Sequence, residues 1–317
     1  DRTDGLELSV HLDERSGAFF ALGLARASRR PVVGLCTSGT AAANYLPAVV
    51  EAFHSGVPLL VLTTDRPPEL RGIGAPQTID QIGLYGTHTR WTANVGTAGS
   101  EAPGEAASLA HQAVVRATRQ APGPVHVNIG LREPLEPPAQ DPPPVGLLPM
   151  PPEHATVEPG PLLELLGTER GLLVAGPMDT DGPGVEAIAE LSRRTGWPIL
   201  ADPASGLRRG PHTSQTPVVA SGDHLLRSAW ADDHRPEVVV QMGAMPTSKG
   251  YRLWLDRVGT DQLVAVDHLG RFPDAAQRVT DRVAAEPGLL ASELLDRLGG
   301  AERSGPWATA WTDADST

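Results

Sequence analysis

The sequence predicts an α/β fold made of two doubly wound parallel-sheet domains. Short apolar runs alternate with longer helical stretches, which is the pattern of a parallel sheet with helices on both faces. This alternation stops in a proline-rich segment and then begins again. A length of 317 residues also favours two domains over one. We therefore predict a first domain over residues 1–135, a linker over 136–161, a second domain over 162–300 and a tail over 301–317.

The first domain is predicted to begin with a short strand that ends at Asp13, followed by a helix that this residue caps. Apolar runs predict three further strands, and the stretches between them fit helices. Residues 72–89 are rich in glycine and lack periodicity, so we predict an irregular loop there. The predicted elements after Asp13 are a helix over 14–28, a strand over 31–36, a helix over 41–55, a strand over 57–63, a helix over 101–121 and a strand over 124–131.

Residues 132–161 contain eleven prolines without periodicity, which predicts an extended tether across a domain boundary. The second domain resumes the alternation of strands and helices. Its first turn has Met178 where a dinucleotide-binding fingerprint needs a second glycine, so we predict no nicotinamide site. The tail over 301–317 is predicted to be a linker toward a further domain. The predicted strands are 171–176, 198–202, 237–243 and 262–267, and the predicted helices are 183–195, 222–231, 248–257 and 287–298.

Charge and composition exclude several classes of function. The formal net charge of −12 and the isoelectric point near 5.3 argue against binding to nucleic acid or to an anionic membrane. No apolar run reaches the ~20 residues that span a bilayer. The only cysteine is Cys36, so an intrachain disulfide is impossible and a cytoplasmic location is expected. Lys249 is the only lysine among the 26 lysines and arginines, which suggests that arginine could not replace it.

Four motifs follow one another in the first domain. Asp13-Glu14-Arg15 begins a helix at the edge of the predicted sheet, where a glutamate either stabilises the helix or is a buried acid with a chemical role. Thr37-Ser38-Gly39-Thr40 joins a strand to a helix through a tight turn. The run from Thr64 to Leu70 leaves the next strand, and its two prolines keep the chain extended. Gly74-Ala75-Pro76-Gln77 follows in the adjoining loop.

Together these motifs resemble the N-terminal part of the 2-succinyl-5-enolpyruvyl-6-hydroxy-3-cyclohexene-1-carboxylate synthase family, thiamine-diphosphate enzymes of menaquinone biosynthesis. The second domain agrees through Gly196-Trp197-Pro198 and through the run from Gly243 to Lys249. The run from Thr64 to Leu70 is the most specific part, whereas many thiamine enzymes share the Ser38-Gly39 turn. The resemblance covers nearly the whole chain and implies a pyrimidine-binding domain followed by a central domain.

Two departures from the family pattern are informative. The family begins with a further strand and helix that carry a Pro-Gly-Ser-Arg-Ser turn. It ends with a third domain, in which a Gly-Asp-Gly motif holds Mg²⁺ and the cofactor's diphosphate. Neither motif occurs in this chain. We therefore expect a pyrimidine-binding domain that is incomplete at its N-terminus, no metal ligands in this chain, and no turnover by the chain alone.

The resemblance implies thiamine diphosphate as the cofactor and gives three residues a place beside it. Glu14 would be the catalytic acid. Its carboxyl group would hydrogen-bond to N1′ of the cofactor's pyrimidine and favour the imino form, while the cofactor carries the chemistry. This role requires a dry pocket, where water does not take the shared proton. Ser38 and Gly39 would face the cofactor, partly through their backbone.

The resemblance also implies three substrate-binding residues. The substrates, 2-oxoglutarate and isochorismate, carry several carboxylates, which guanidinium and ammonium groups bind well. Arg66 and Gln77 would contact substrate from the first domain, and Lys249 from the second. Some relatives have an arginine after this lysine, where the present chain has Gly250.

The implied reaction is decarboxylation of 2-oxoglutarate and conjugate addition of the resulting carbanion to isochorismate, in a homodimer or homotetramer. One alternative is another thiamine decarboxylase related to acetolactate synthase, which would typically carry His-Glu in place of Asp13-Glu14. Another is a non-catalytic binding or scaffold module, which would have little use for Glu14, Arg66 and the single lysine. No zinc-ligand spacing occurs, so we predict packed or solvated side chains for His11, Cys36, His54, His88 and His126.

Overall fold

A computed structural model describes residues 7–97, 103–119, 121–135, 160–268, 274–300, 302–303 and 305–316. The chain divides into two compact units, Asp1–His154 and Ala155–Thr317, which we term the first and the second unit. Each unit contains one parallel sheet, which confirms the predicted fold class. Residues 136–159 of the predicted linker lie outside the described residues. In the described part of the chain, no helix is long and apolar enough to cross a membrane.

The first unit contains a four-stranded sheet. Its elements are α1 (Glu14–Ser28), β1 (Val32–Cys36), α2 (Thr40–Asn44), α3 (Leu46–Ser55), β2 (Leu59–Asp65), a 3₁₀ helix (Pro68–Leu70), β3 (Trp91–Thr97), α4 (Pro103–Thr118) and β4 (Val125–Gly130). The strand order is β1-β2-β4-β3. One face packs against α1, α2 and α3 around Val61, and the other packs against α4 around Val127. The carboxyl ends of β1 and β2 therefore lie side by side at one edge of the sheet.

Helix α1 has the bounds that the sequence predicted. Asp13 Oδ1 accepts a hydrogen bond from the Ser16 N–H at 2.7 Å and so caps the first turn. Arg29 takes a left-handed backbone conformation, which ends the helix. Buried positions recur at helical spacing, at Ala18, Ala21, Leu22 and Ala25. The cap makes Glu14 the first residue of the helix.

Three predictions for the first unit were wrong in detail. Residues 7–12 form no strand, and a strand needs a neighbour that supplies backbone hydrogen bonds. The predicted helix over 41–55 is divided at Tyr45, because Pro47 has no N–H to donate to the preceding turn. Strand β3 was missed because its residues alternate between exposed and half-buried, so they form no continuous apolar run.

The second unit contains a six-stranded sheet in the order β10-β9-β8-β5-β6-β7. Its strands are β5 (Gly171–Ala175), β6 (Ile199–Ala201), β7 (Val218–Val219), β8 (Val238–Met242), β9 (Gln262–Val266) and β10 (Asp281–Val283). Its helices are α5 (Gly160–Leu165), α6 (Gly182–Thr195), a 3₁₀ helix (Pro211–Ser214), α7 (Gly222–Leu225), α8 (Ala229–Asp233), α9 (Lys249–Arg257), α10 (Pro287–Arg297) and α11 (Pro306–Asp315). Helices α5, α6 and α10 pack on one face of the sheet, and α7, α8, α9 and α11 pack on the other.

The strand order of the second unit reverses between β5 and β8, which is where doubly wound sheets commonly bind dinucleotides. Here the two turns at that point touch each other. Ala244 N–H donates to Pro177 O at 3.0 Å, and a Cβ on Gly176 would lie 1.7 Å from Ala244 O. Backbone atoms of the two turns are therefore in close contact at this point.

The predicted tail over 301–317 was wrong, and so was the end of the predicted linker. Residues 306–315 form α11, and the last two residues of the predicted linker, 160 and 161, already belong to α5. Trp311 is fully buried in the core of the second unit, and Trp307 Nε1 donates to Gly171 O at 2.7 Å. Two tryptophans four residues apart share one face of a helix. They make α11 part of the folded unit.

Candidate active site

The turn after β1 requires glycine for two reasons. Gly39 has φ 81° and ψ −142°, a conformation that residues with a side chain rarely adopt. A Cβ there would also lie 3.1 Å from Gln77 Cγ and 3.2 Å from Gln77 O. The Gly39 N–H donates to Gln81 Oε1 at 2.7 Å. Ser38 and Gly39 were expected to face the cofactor partly through their backbone. The Gly39 N–H is already used in this hydrogen bond within the protein.

The backbone of Arg66 is held on both sides where the chain leaves β2. Asp65 Oδ1 accepts the Arg66 N–H at 2.7 Å, and Arg71 Nε donates to Arg66 O at 3.0 Å. Pro67 continues the chain in an extended conformation at φ −64° and ψ 158°. Arg66 Nη1 then donates to Ser38 Oγ at 3.1 Å. The side chain is therefore directed toward the turn after β1.

Gln77, in the loop over residues 72–89, contacts the same turn after β1. Its backbone is left-handed at φ 57°, and its Nε2 donates to Ser38 O and to Thr37 Oγ1, both at 3.1 Å. Its carbonyl oxygen accepts the Ser38 hydroxyl at 3.0 Å. The structure thus brings together four of the six predicted site residues, Ser38, Gly39, Arg66 and Gln77.

The acids beside Arg66 are already paired with other arginines. Asp65 Oδ2 lies 2.9 Å from Arg71 Nη2. Glu69 pairs with Arg132 at 2.6 Å, and the hydrogen bond from this guanidinium lowers the pKa of Glu69 to about 2. Among the described residues, no carboxylate pairs with Arg66. Its guanidinium therefore keeps donors for a carboxylate that comes from outside the chain.

Glu14 lies near the end of β1. Burial raises the pKa of Cys36 to about 12, with the Glu14 charge as the second cause. The pKa of Tyr45 rises to about 12 through burial and through the nearby Cys36 and Glu14. The Glu14 side chain is half-buried, so the first unit gives it only part of the dry pocket that was expected. Within the described residues, no hydrogen bond or ion pair involves its carboxylate.

The sixth predicted residue, Lys249, lies in the second unit as the exposed first residue of α9. A Cβ at Gly250 would lie 2.6 Å from Asp223 Oδ1, so an arginine at this position would require a shift of Asp223. Arg252, three residues after Lys249, pairs with Asp256 at 3.2 Å. Lys249 is the basic side chain within the run from Gly243 to Lys249.

Sequence reasoning missed a buried polar cluster behind the turn. Thr63, Asp65, Gln81, His126 and Asn128 are at most 3% exposed. A signal was present, because polar residues interrupt the otherwise apolar strands β2 and β4. His126 is packed, which is one of the two environments predicted for it, and burial lowers its pKa to about 4. The described residues contain no group of three side chains that could hold a metal ion.

Comparison with known families identifies the fold. A model described as the thiamine pyrophosphate enzyme, N-terminal TPP binding domain, matches residues 1–84. A second model, the middle domain of thiamine pyrophosphate, matches residues 152–316. The chain belongs to the thiamine pyrophosphate enzyme family. The first match includes Glu14 and the whole cluster around Arg66, and the second includes Lys249.

Several similar proteins carry the name 2-succinyl-5-enolpyruvyl-6-hydroxy-3-cyclohexene-1-carboxylate synthase. The protein from Halorubrum lacusprofundi is 43% identical over 346 residues, which cover 99% of this chain and 55% of that protein. The protein from Geobacillus thermodenitrificans is 42% identical over 326 residues, covering 98% and 54%. The protein from Chloroflexus aurantiacus is 40% identical over 331 residues, covering 100% and 56%. The chain thus spans about half the length of the curated relatives it matches.

The residues of the first unit fit the pyrimidine end of thiamine diphosphate. That ring needs one carboxyl partner in a poorly solvated place. Glu14 is half-buried, has no partner among the described residues, and lies near the buried Cys36 and Tyr45. Burial keeps the Cys36 thiol and the Tyr45 phenol neutral at physiological pH, and Glu14 supplies the one carboxyl group among these three side chains. The Glu14 carboxyl group is therefore suited to a hydrogen bond with a ring nitrogen of the pyrimidine.

Proposed function

We propose that the complete protein is a 2-succinyl-5-enolpyruvyl-6-hydroxy-3-cyclohexene-1-carboxylate synthase. In this reaction 2-oxoglutarate loses carbon dioxide and the resulting carbanion adds to isochorismate. The main support is the position of Arg66, whose guanidinium is held by Ser38 while the neighbouring acids pair with other arginines. An arginine held in this way suits a substrate rich in carboxylates. The names of the relatives agree with this choice.

Glu14 is proposed to act on the cofactor. Bound thiamine diphosphate supplies the carbanion chemistry that decarboxylation and carbon–carbon bond formation require. The Glu14 carboxyl group would hold a proton at N1′ of the pyrimidine and so favour the imino form. The half-buried position of Glu14 limits the access of water to that proton. Ser38 and Gly39 would form the adjoining wall of the pocket.

The substrate contacts are proposed for three side chains. Arg66 would bind a carboxylate of 2-oxoglutarate through the guanidinium donors that Ser38 does not use. Gln77 is exposed, and a substrate could compete for its side-chain amide. Lys249 would offer an ammonium charge to a carboxylate from the second unit. We further propose that Mg²⁺ accompanies the cofactor and that the protein is a cytoplasmic homodimer or homotetramer.

A product assay on the complete gene product tests the proposed function. The protein is mixed with thiamine diphosphate, Mg²⁺, 2-oxoglutarate and isochorismate, and the adduct is detected by mass spectrometry. We expect the adduct only when both substrates are present. Turnover of pyruvate in place of 2-oxoglutarate would favour the acetolactate-synthase alternative. Absence of turnover with any 2-oxo acid, in a folded protein, would favour a binding module.

A further inference from the structure

A chain of buried polar side chains joins the Gly39 turn to the backbone of Arg66. Asp65, Gln81 and Asn128 are at most 3% exposed. Gln81 Oε1 accepts the Gly39 N–H at 2.7 Å, and Gln81 Nε2 donates to Asn128 Oδ1 at 2.9 Å. Asn128 Nδ2 donates to Asp65 Oδ2 at 2.9 Å. At the far end, Asp65 Oδ1 accepts the Arg66 N–H at 2.7 Å. Both ends of this chain are residues of the candidate site.

The Asp65 carboxylate fixes the direction of every bond in the chain. It only accepts hydrogen bonds, so Asn128 must turn its NH₂ group toward Asp65 and its oxygen toward Gln81. Gln81 must then turn its NH₂ group toward Asn128 and its oxygen toward Gly39. Gln81 Nε2 donates its second hydrogen to Thr64 O at 3.0 Å. A reversed amide would bring like groups together in a buried place, at a cost in free energy.

Thr63 and His126 hold Asn128 from its other side. Thr63 Oγ1 donates to Asn128 Oδ1 at 2.8 Å and lies 2.8 Å from His126 Nε2. Because the single hydroxyl proton goes to Asn128, the Nε2 atom must donate to Thr63. Burial lowers the pKa of His126 to about 4, so this imidazole is neutral at physiological pH. The side-chain amide of Asn128 therefore keeps one orientation at physiological pH.

The Gly39 N–H depends on Gln81 for its acceptor. Gly39 immediately precedes α2, so its N–H has no acceptor within that helix. A buried N–H without a partner is costly, and the turn would change its conformation to find one. The same turn carries Ser38, which accepts from Arg66 and donates to Gln77. The Gln81 amide therefore helps to fix the position of Ser38, because it supplies the acceptor that holds this turn in its conformation.

We propose that Gln81 is a positioning residue for the active site, a proposal that rests on the thiamine-dependent function described above. Gln81 acts on the cofactor side through Gly39. It acts on the substrate side through Asn128 and Asp65, which hold Arg66. Loss of its hydrogen bonds loosens both sides together, although every side chain assigned to a ligand is still present in the variant.

The variant Gln81→Met in the complete gene product tests the proposal, because methionine keeps the length of the side chain without its strong donors and acceptor. We expect faster hydrogen exchange in the peptide that contains Gly39. We also expect a roughly fivefold to tenfold rise in the Kd of thiamine diphosphate, measured by calorimetry. The KM for 2-oxoglutarate should rise by a larger factor than kcat falls. Gln81→Glu keeps an acceptor for the Gly39 N–H and should restore part of the exchange protection.

Ser192→Ala is the matched control, because it removes a buried hydrogen bond of 2.6 Å from Ser192 Oγ to Trp197 O in the second unit. It should leave Gly39 exchange and cofactor affinity unchanged. Unchanged exchange and unchanged ligand affinities in Gln81→Met would overturn the positioning role. If Gln81→Met does not fold, the same measurements on Gln81→Glu decide the question. A wild-type protein that binds no thiamine diphosphate would refute the proposed function instead, while exchange at Gly39 still reports on its bond to Gln81.

Discussion

Arg66 Nη1 lies 3.1 Å from Ser38 Oγ, although 28 residues separate the two in the sequence. Ser38 Oγ donates its own proton to Gln77 O, so it can only accept from Arg66. The contact holds one edge of the guanidinium and leaves its remaining donors for a ligand. Ser38 and Arg66 follow β1 and β2, which are adjacent and parallel, so the carboxyl ends of these strands lie together.

Arg66→Ala should therefore weaken substrate binding more than it weakens the fold. Loss of a charged hydrogen-bonded contact to a carboxylate should raise the KM for 2-oxoglutarate by roughly tenfold to a hundredfold. Arg66→Lys should give an intermediate value, because an ammonium group cannot bind a carboxylate bidentately. Steady-state kinetics of the complete gene product checks this. Arg132→Ala is the control, since Arg132 pairs with Glu69 and should leave the KM unchanged. Equal KM values for Arg66→Ala and the wild type would show that Arg66 does not bind 2-oxoglutarate.

Glu14→Gln should abolish most of the turnover without unfolding the protein. A glutamine can hydrogen-bond to N1′ but cannot give it a proton, so kcat should fall by roughly 10²-fold to 10⁴-fold. The melting temperature should stay close to that of the wild type, because the described residues make no hydrogen bond to this carboxylate. Asp13→Ala, one residue earlier, removes the helix cap and should lower the melting temperature while kcat stays high. A Glu14→Gln variant with more than a tenth of wild-type kcat would contradict the assigned role.

The sequence predicted most of the fold of both units, because buried parallel strands are continuous apolar runs. The bounds of α1 were predicted correctly through the Asp13 cap. Short or half-buried strands, such as β3 and β7, were missed because they lack such runs. The predicted tail was wrong because Trp307 and Trp311 share one face only when the segment is a helix, and a short helix of this kind lacks a long apolar repeat.

Part of the candidate site was also predictable. Ser38 and Arg66 follow neighbouring strands, and a family resemblance gave them a role. The contact from Gln81 to Gly39 was not predictable, because it spans 42 residues and depends on the path of an irregular loop. The exposure of Glu14 was not predictable either, since it depends on which neighbours surround the start of α1.

His126 should make the first unit less stable in mild acid. Burial lowers its pKa from 6.5 to about 4, so between these values the unfolded chain binds a proton that the folded unit does not bind. The free energy of unfolding should then decrease as the pH falls from 6.5 to 4, by up to about 3 kcal/mol. His126→Gln, which does not titrate, should show a weaker decrease over the same range. Hydrogen exchange of peptides from β2 and β4 measures this, with peptides from the second unit as an internal reference. Identical pH dependence in both proteins would exclude His126 as the cause.

Trp311 should be among the residues on which the stability of the second unit depends most. Its ring is fully buried and lies 5.2 Å from Trp230 and 5.8 Å from Trp307, measured between ring centroids. Trp311→Ala should lower the free energy of unfolding of this unit by about 3–5 kcal/mol, because the cavity left behind cannot be filled by its neighbours. Urea unfolding followed by far-ultraviolet circular dichroism measures the change.

Thr309→Ala is the matched control for Trp311, because Thr309 is an exposed residue of the same helix. It should change the free energy of unfolding by less than about 0.5 kcal/mol. If residues 306–315 were a linker, both variants would behave alike, since neither side chain would contribute to a core. Asp315 gives the helix a second link to the unit, because its carboxylate accepts the N–H groups of Ala220 at 3.0 Å and Ser221 at 2.6 Å. A large loss in Trp311→Ala with none in Thr309→Ala therefore establishes α11 as part of the fold.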